Sequence, residues 1–380
     1  MPKYGLKHYD QMGAGFAAVD NHVIQLDDEG AFLQAAHAHR VLESVSQCVA
    51  AGNTIVSVFV HGWHHNAAPG DASAVRFLKQ LSEARAVLRE EGHVRARQQL
   101  TGSGDARVIG IYVGWRGKSL PMPLDYLTFW GRKAAAERVG SGELAKFMLG
   151  LQAIHAQSER RRRIAGGGPF MGLVSVGQDL GGQVLFHATR AVFEKQLKAA
   201  VAKPSQARSQ ARAELAGFGD LVVLLDPALE ALHYELIHRL DGAISYGEDQ
   251  PPRLLVLSCS DNIPRRLFFP LARGLGMLFS NTDAGGQGDI LRTALGEYKP
   301  HRTHVLVRAD RAGRVKLVPT GKHRPFSPFL VSYADASVTR GNAGVFGEAL
   351  QHFLSGHLDM IEGKHGLISA APITGEQAVA

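Results

Sequence analysis

Apolar residues recur in this chain with two different rhythms. Thr54–Val60 (TIVSVFV), Ala106–Val113 (ARVIGIYV), Leu221–Leu225 (LVVLL) and Leu254–Leu257 (LLVL) are short, nearly unbroken apolar runs rich in β-branched residues. Such runs predict strands covered on both faces. Gly172–Val176 starts another, Val23–Leu26 is a shorter one ending in Asp27-Asp28-Glu29-Gly30, and Phe329–Tyr333 is the last. Between them the spacing turns helical: Phe32, Leu33, Ala36, Val41, Leu42, Val45 and Val49 predict a helix that Gly52 can end. Helices are likewise predicted over Asp71–Leu88, Leu144–Ile154, Gln183 to about Ala200, and Ala343–Leu354, with a basic, glycine-rich break over Arg160–Gly168. His304–Ala309 and Val315–Val318, joined by Asp310-Arg311-Ala312-Gly313, predict a hairpin.

Buried strands alternating with helices imply an α/β protein with a mainly parallel central sheet and helices on both faces. The pattern predicts one domain over 23–355, preceded by an extension (1–22) and followed by a tail (356–380). A polar excursion falls near 202–212 and the hairpin insert over 304–318. In such sheets ligands bind beyond the carboxyl ends of the strands. Function is therefore expected just after Val60, Val113, Val176, Leu225, Leu257 and Tyr333.

Composition narrows this picture only slightly. The 380 residues are 45% apolar and 20% charged, enough for a large core. The formal charge of +7 invites a search for polyanion binding, but Lys and Arg are scattered except at Arg160–Arg163, and no nucleic-acid partner is expected. That run reads as a solvated helix end or loop, with an anion-binding patch as the alternative. Cys48 and Cys259 read as small buried hydrophobes rather than a disulfide. No membrane span is expected, and Met1–Gly15 has no apolar core of a signal peptide, so the expected location is cytoplasmic.

Candidate chemistry begins where a strand runs into Val176-Gly177-Gln178-Asp179-Leu180-Gly181-Gly182 and then a helix. The glycines permit a tight turn that lifts one side chain, here Asp179, above the sheet. After an earlier strand comes His61-Gly62-Trp63-His64-His65-Asn66, a turn able to present backbone N–H groups to a developing oxyanion. Acid candidates follow in order: Asp226 after Leu225, and Asp261 in Ser258-Cys259-Ser260-Asp261.

These segments resemble the nucleophile elbow (G-x-S-x-G) and oxyanion loop of α/β-hydrolases. Further phrases resemble a group of bacterial serine esterase/lipase-type α/β-hydrolases: Val23–Phe32 (VIQLDDEGAF), Val58–Ala67 (VFVHGWHHNA), Tyr112–Gly117 (YVGWRG), Leu127–Gly140 (LTFWGRKAAAERVG), Asp220–Ala231 (DLVVLLDPALEA) and Tyr333–Leu354. The resemblance runs from about residue 23 to 355 and implies an α/β-hydrolase fold. It implies Asp261 at the triad-acid position and His61, Gly62, Trp63, Gln178, Leu180, Asp226 and Asn342 around the site. The departures are as informative. Gln178 and Asp179 stand where the group has His and Ser, and Asp226 where it usually has Asn. Gly341-Asn342-Ala343-Gly344 stands where a Gly-His-x-Asp phrase supplies the catalytic His.

Asp179 has no hydroxyl and Asn342 no imidazole, so Ser-type acyl transfer is closed. Four readings stay open. The site binds a small apolar or ester-like ligand without turnover; it retains residual esterase or lactonase activity; Asp179 attacks carbon as a carboxylate nucleophile; or Asp179, Asp226, Asp261 and nearby histidines hold a divalent metal, although no compact ligand motif is present and no cofactor is predicted. Surrogate bases considered are His64, His65, His301, His304 and His323. His357, in a superficially similar Gly-His-Leu-Asp phrase, follows about 13 helical residues at ~1.5 Å each, which carry it roughly 20 Å away.

Overall fold

The computed structural model describes residues 20–68, 70–97, 106–117, 128–202, 212–259, 287–308, 315–321 and 324–334. Asp261, Asn342, His323, His357 and the helix expected over 343–354 lie outside them.

Among the described residues nine strands form a mostly parallel sheet: β1 (Asp20–Gln25), β2 (Thr54–Val60), β3 (Arg107–Gly114), β4 (Met171–Gln178), β5 (Leu221–Leu225), β6 (Leu254–Ser258), β7 (His304–Arg308), β8 (Val315–Pro319) and β9 (Phe329–Ala334). Their order is β1-β3-β2-β4-β5-β6-β9-β7-β8. The pairs β1·β3, β2·β3, β2·β4, β6·β9 and β7·β9 are parallel, and β7·β8 is the expected antiparallel hairpin. The intervening helices are α1 (Ala35–Ala51), α2 (Ala72–Arg97), α3 (Phe129–Ser141), α4 (Glu143–Ala165), α5 (Leu180–Val201), α6 (Ala231–Asp241) and α7 (Gln287–Arg292).

The chain divides into two compact units. Of the described residues, the first comprises those within 20–189 and 218–222. Its strands β2 and β3 are buried along almost their whole length, which is why they read as unbroken apolar runs. Helix α1 packs through His37, Ala38, Val41, Val45 and Val49, a one-face stripe. Close contact of helix on sheet depends on a missing side chain: a Cβ at Gly110 of β3 would lie 2.3 Å from Leu81 Cδ1 and 2.6 Å from Asn21 Oδ1.

Three phrases far apart in sequence meet in this unit. The Arg132 guanidinium clasps the Asp28 carboxylate through two bonds, Nη1 to Oδ1 at 2.8 Å and Nη2 to Oδ2 at 3.0 Å. Arg116 also donates to Asp28 Oδ2, and Arg138 Nε donates to the Asp28 carbonyl at 3.1 Å. Burial alone would raise the Asp28 carboxyl, but the two guanidiniums outweigh it and hold it below the usual range. Bidentate Arg–carboxylate pairing of this kind fixes loop geometry as well as charge.

Helix α4 corrects one expectation. It does not break at Arg160 but continues to Ala165, and Gly166 caps it in the left-handed region (φ +67°), its N–H donating to the Arg162 carbonyl. Straight-chain arginines sustain a helix as readily as leucine, so the charge run forms the solvated end of the helix rather than a break before it. Gly166 has open space around it, so Gly166→Ala tests backbone conformation alone. It should cost about 1 kcal/mol, lowering the unfolding midpoint by about 1 °C in a thermal melt of the whole chain. An unchanged midpoint would mean that the cap is not left-handed in solution.

The second unit comprises the described residues within 190–217 and 223–334. In it Asp241 anchors the segment before β9: Ser327 Oγ donates to both its oxygens at 3.0 and 3.1 Å, and Arg324 Nη1 at 3.0 Å. Burial nevertheless raises the Asp241 carboxyl above its usual range, against those bonds. The cysteines are corrected as well. Neither Cys48 nor Cys259 is in a disulfide, as expected, but both are half-buried rather than buried, with Cys48 accepting from Arg107 and Cys259 turned towards Asp226.

Candidate functional site

The sheet order places a topological switch between β2 and β4. From β2 the chain moves to β3 on one side, and from β4 to β5 on the other. The two connections diverge there, and in open α/β sheets ligands are generally bound beyond the strands' carboxyl ends at such a point. Both sequence-selected turns lie at this point, since Val60 pairs with Gly177 at the end of the β2·β4 ladder.

After Gln178 the chain makes one turn residue, Asp179, and enters α5 at Leu180, three residues earlier than the sequence suggested. Asp179 has φ +52°, in the left-handed region where Asp is tolerated better than most residues. The Asp179 carbonyl accepts the first helical bonds, from Gly182 N at 3.0 Å and Gln183 N at 3.4 Å. The glycines make room. A Cβ at Gly181 would lie 2.3 Å from the Val60 carbonyl oxygen and 2.4 Å from that of His61, and one at Gly177 would lie 2.6 Å from the Gly181 carbonyl oxygen.

The His61–Asn66 loop closes on this turn. A Cβ at Gly62 would meet the Gln178 carbonyl oxygen at 2.9 Å and Asp179 Cβ at 3.0 Å. The next backbone N–H, that of Trp63, donates to Asp179 Oδ2 at 3.0 Å. Gln178 and Asp179 are half-buried, while Gly62, Trp63 and Leu180 are buried. Trp63 stacks on His64, with ring centroids 3.9 Å apart, and meets Phe129 edge-on at 5.0 Å.

His61 turns out to be structural in a way its sequence context did not reveal. It is fully buried, lying between Tyr112 and Trp115 at ring distances of 5.5 and 5.7 Å. Its Nδ1 is 2.9 Å from the Gly62 carbonyl oxygen, and its Nε2 is 3.1 Å from the Trp115 backbone N–H. A carbonyl can only accept and an N–H only donate, so this network assigns the neutral Nδ1–H tautomer. Burial pushes the imidazole down to about 4, outweighing the hydrogen bond to Gly62 that favours the charged form. With both nitrogens engaged, His61 latches the loop and is not a proton acceptor for the site. Trp115 completes the latch by donating from Nε1 to the His61 carbonyl at 2.9 Å.

The other histidines fall into place individually. His65 Nδ1 pairs with Asp71 Oδ1 at 3.1 Å, and Asp71 also accepts from the backbone N–H groups of Ser73 and Asn66. Burial alone would raise Asp71, but His65 and these donors bring it below its usual value. His64 has φ +68°. In the second unit, His301 Nε2 donates to Glu235 Oε2 at 2.8 Å, and His304 Nδ1 lies 2.9 Å from the Thr303 hydroxyl. Asp226, with φ +48°, accepts from the Cys259 backbone N–H at 3.1 Å. Among the described residues four non-glycine residues have positive φ; in the first unit His64 and Asp179 follow the carboxyl ends of β2 and β4, and in the second Asp226 follows that of β5. Backbone strain of this kind collects where a side chain is held for a purpose. Among the described residues no cluster of three or more His, Cys, Asp or Glu has the arrangement of a metal site.

No family model matches the chain, and no curated protein matches it. A crystal structure of an uncharacterized protein from Pseudomonas aeruginosa is similar at 14% identity with a TM-score of 0.27, too low to carry any argument. The alignment covers 100% of this chain and 51% of that one, so this chain spans about half its length.

Proposed function

We propose that this chain is an α/β-hydrolase-like protein of the serine esterase/lipase type that keeps the elbow and the oxyanion loop but binds a small apolar or ester-like ligand instead of hydrolysing it. The observation that carries the reading is the Trp63 N–H donating to Asp179 Oδ2. In a Ser hydrolase a backbone donor at this place is aimed at the substrate's developing oxyanion. Here the protein's own carboxylate takes it. The strand–turn–helix around Asp179 and the adjacency of β2 and β4 support the lineage.

A second reading is supported by the same contact. An elbow carboxylate can attack carbon, and the Trp63 N–H that holds Asp179 Oδ2 would then stabilise the oxyanion formed when the resulting ester is hydrolysed. That route needs a base for water, and neither His61, buried and doubly engaged, nor Asn342 can serve.

A panel of p-nitrophenyl esters and lactones, run with and without EDTA, tests both readings. The expected result is no turnover above background, no labelling by serine-directed phosphonates, and thermal stabilisation by small apolar ligands. Turnover abolished by such a phosphonate would overturn the binding reading. EDTA-sensitive turnover would point to a metal held at Asp179.

A further inference from the structure

The amino end of β4 carries a second surface, remote from Asp179. Helix α4 ends in Arg160, Arg161, Arg162, Arg163 and Ile164, and the chain returns through Gly166–Gly168 to Met171. Arg162 is committed: it donates to the Gly168 carbonyl and lies 5.8 Å over the Phe170 ring. Arg160, Arg161 and Arg163 are exposed. Beside them Ile164 is 77% exposed, the most exposed large hydrophobic side chain among the described residues. Thr54 pairs with both Arg107 and Met171, so β3 starts at this edge too and brings a further exposed cation, Arg107, which shares Asp20 at 3.7 Å.

A helix carboxyl end favours cations in its last turn, which accounts for arginine there. It does not account for an isoleucine standing in water at the same tip. The two together are what an anionic bilayer surface recognises: guanidiniums at the headgroup phosphates and carboxylates, and one aliphatic side chain entering the acyl boundary. A nucleic acid would use the arginines and gain nothing from Ile164, since it offers charge and stacking faces. We infer that the α4 tip, Arg160–Ile164, is a peripheral docking surface for membranes containing anionic lipid. The eight residues of β4 span about 26 Å, so docking at this edge leaves Asp179 facing away from the bilayer.

The full-length chain should sediment with phosphatidylcholine vesicles containing phosphatidylserine, bind pure phosphatidylcholine vesicles weakly, and be released by salt. Each cation at an anionic surface contributes about fivefold, so the triple variant Arg160→Gln, Arg161→Gln, Arg163→Gln should bind roughly 100-fold more weakly. Ile164→Ser should bind about tenfold more weakly. All of these side chains are exposed, so unfolding midpoints should match the parent. Absence of phosphatidylserine-dependent binding would overturn the inference, as would Ile164→Ser binding as tightly as the parent. Binding to single-stranded RNA that survives Ile164→Ser, with no vesicle binding, would assign the tip to nucleic acid instead.

Discussion

His61→Ala is expected to lower stability by about 4 kcal/mol at pH 7.5, measured by chemical denaturation. The substitution removes a fully buried ring stacked on Trp115 and Tyr112. It also strands the Trp115 N–H and the Gly62 carbonyl, each a buried polar group worth about 1–3 kcal/mol when left unpaired. A pH signature accompanies the loss. In the folded chain the imidazole titrates at about 4, against 6.5 when unfolded, so the unfolded state binds more protons between these values. His61 therefore contributes stability that is complete above pH 6.5 and is lost as pH falls towards 4, about 3 kcal/mol in all. The variant should lack that slope. Asp28 and Asp71, both held below their usual range, act in a different window: their contribution is present above 3.8 and disappears only as pH falls below it. A parent and variant that lose stability in parallel between pH 6.5 and 4 would refute the buried-neutral latch.

Much of the sheet is legible in the sequence because its strands are covered on both faces. Thr54–Val60 and Leu221–Leu225 match their predicted limits, because burial on both faces keeps them nearly apolar from end to end. Helices α3 and α6 were not anticipated. Residues 129–141 bury Lys133 and Gly140 alongside Phe129, Ala135, Ala136 and Val139, so the buried stripe is not an apolar stripe. In α6, Ala231, Tyr234, Ile237 and Asp241 form the buried face, and the acid breaks the pattern. Asp179 at a strand–helix turn was legible because glycine spacing encodes backbone geometry locally. The His61 latch was not, because its meaning depends on Trp115, 54 residues away, whereas the local HG phrase signals only backbone donors and a metal-ligating imidazole. The same holds for Asp28, whose partners lie 88 and 104 residues further on. Sequence periodicity reports which face is buried and carries no record of which polar side chains will meet across it.

Emptying the Trp63 donor should separate a filled oxyanion site from a working carboxylate. Asp179→Gly removes the carboxylate and, at φ +52°, suits the backbone without strain. If the Trp63 N–H is aimed at a ligand oxygen, this variant should hydrolyse p-nitrophenyl acetate about 10²–10³-fold faster than the parent, because an oxyanion donor and a binding site retain substantial catalysis without a triad. Asp179→Asn is the control. Its amide oxygen can still accept from Trp63, so the donor stays occupied and no gain is expected. The comparison of kcat/KM across parent, Gly and Asn variants is therefore internal: both substitutions remove the charge, and only one vacates the donor. Equal rates in the two variants would mean that the Trp63 N–H is not directed at substrate and that the contact only braces the turn. A parent more active than both would mean that Asp179 itself attacks the substrate. The nucleophile reading would then replace the binding one: the carboxylate would displace p-nitrophenolate from the acetyl carbon and form a mixed anhydride, and acid quench of the parent during turnover should trap that acetyl group on Asp179, visible as a mass increment that neither variant acquires.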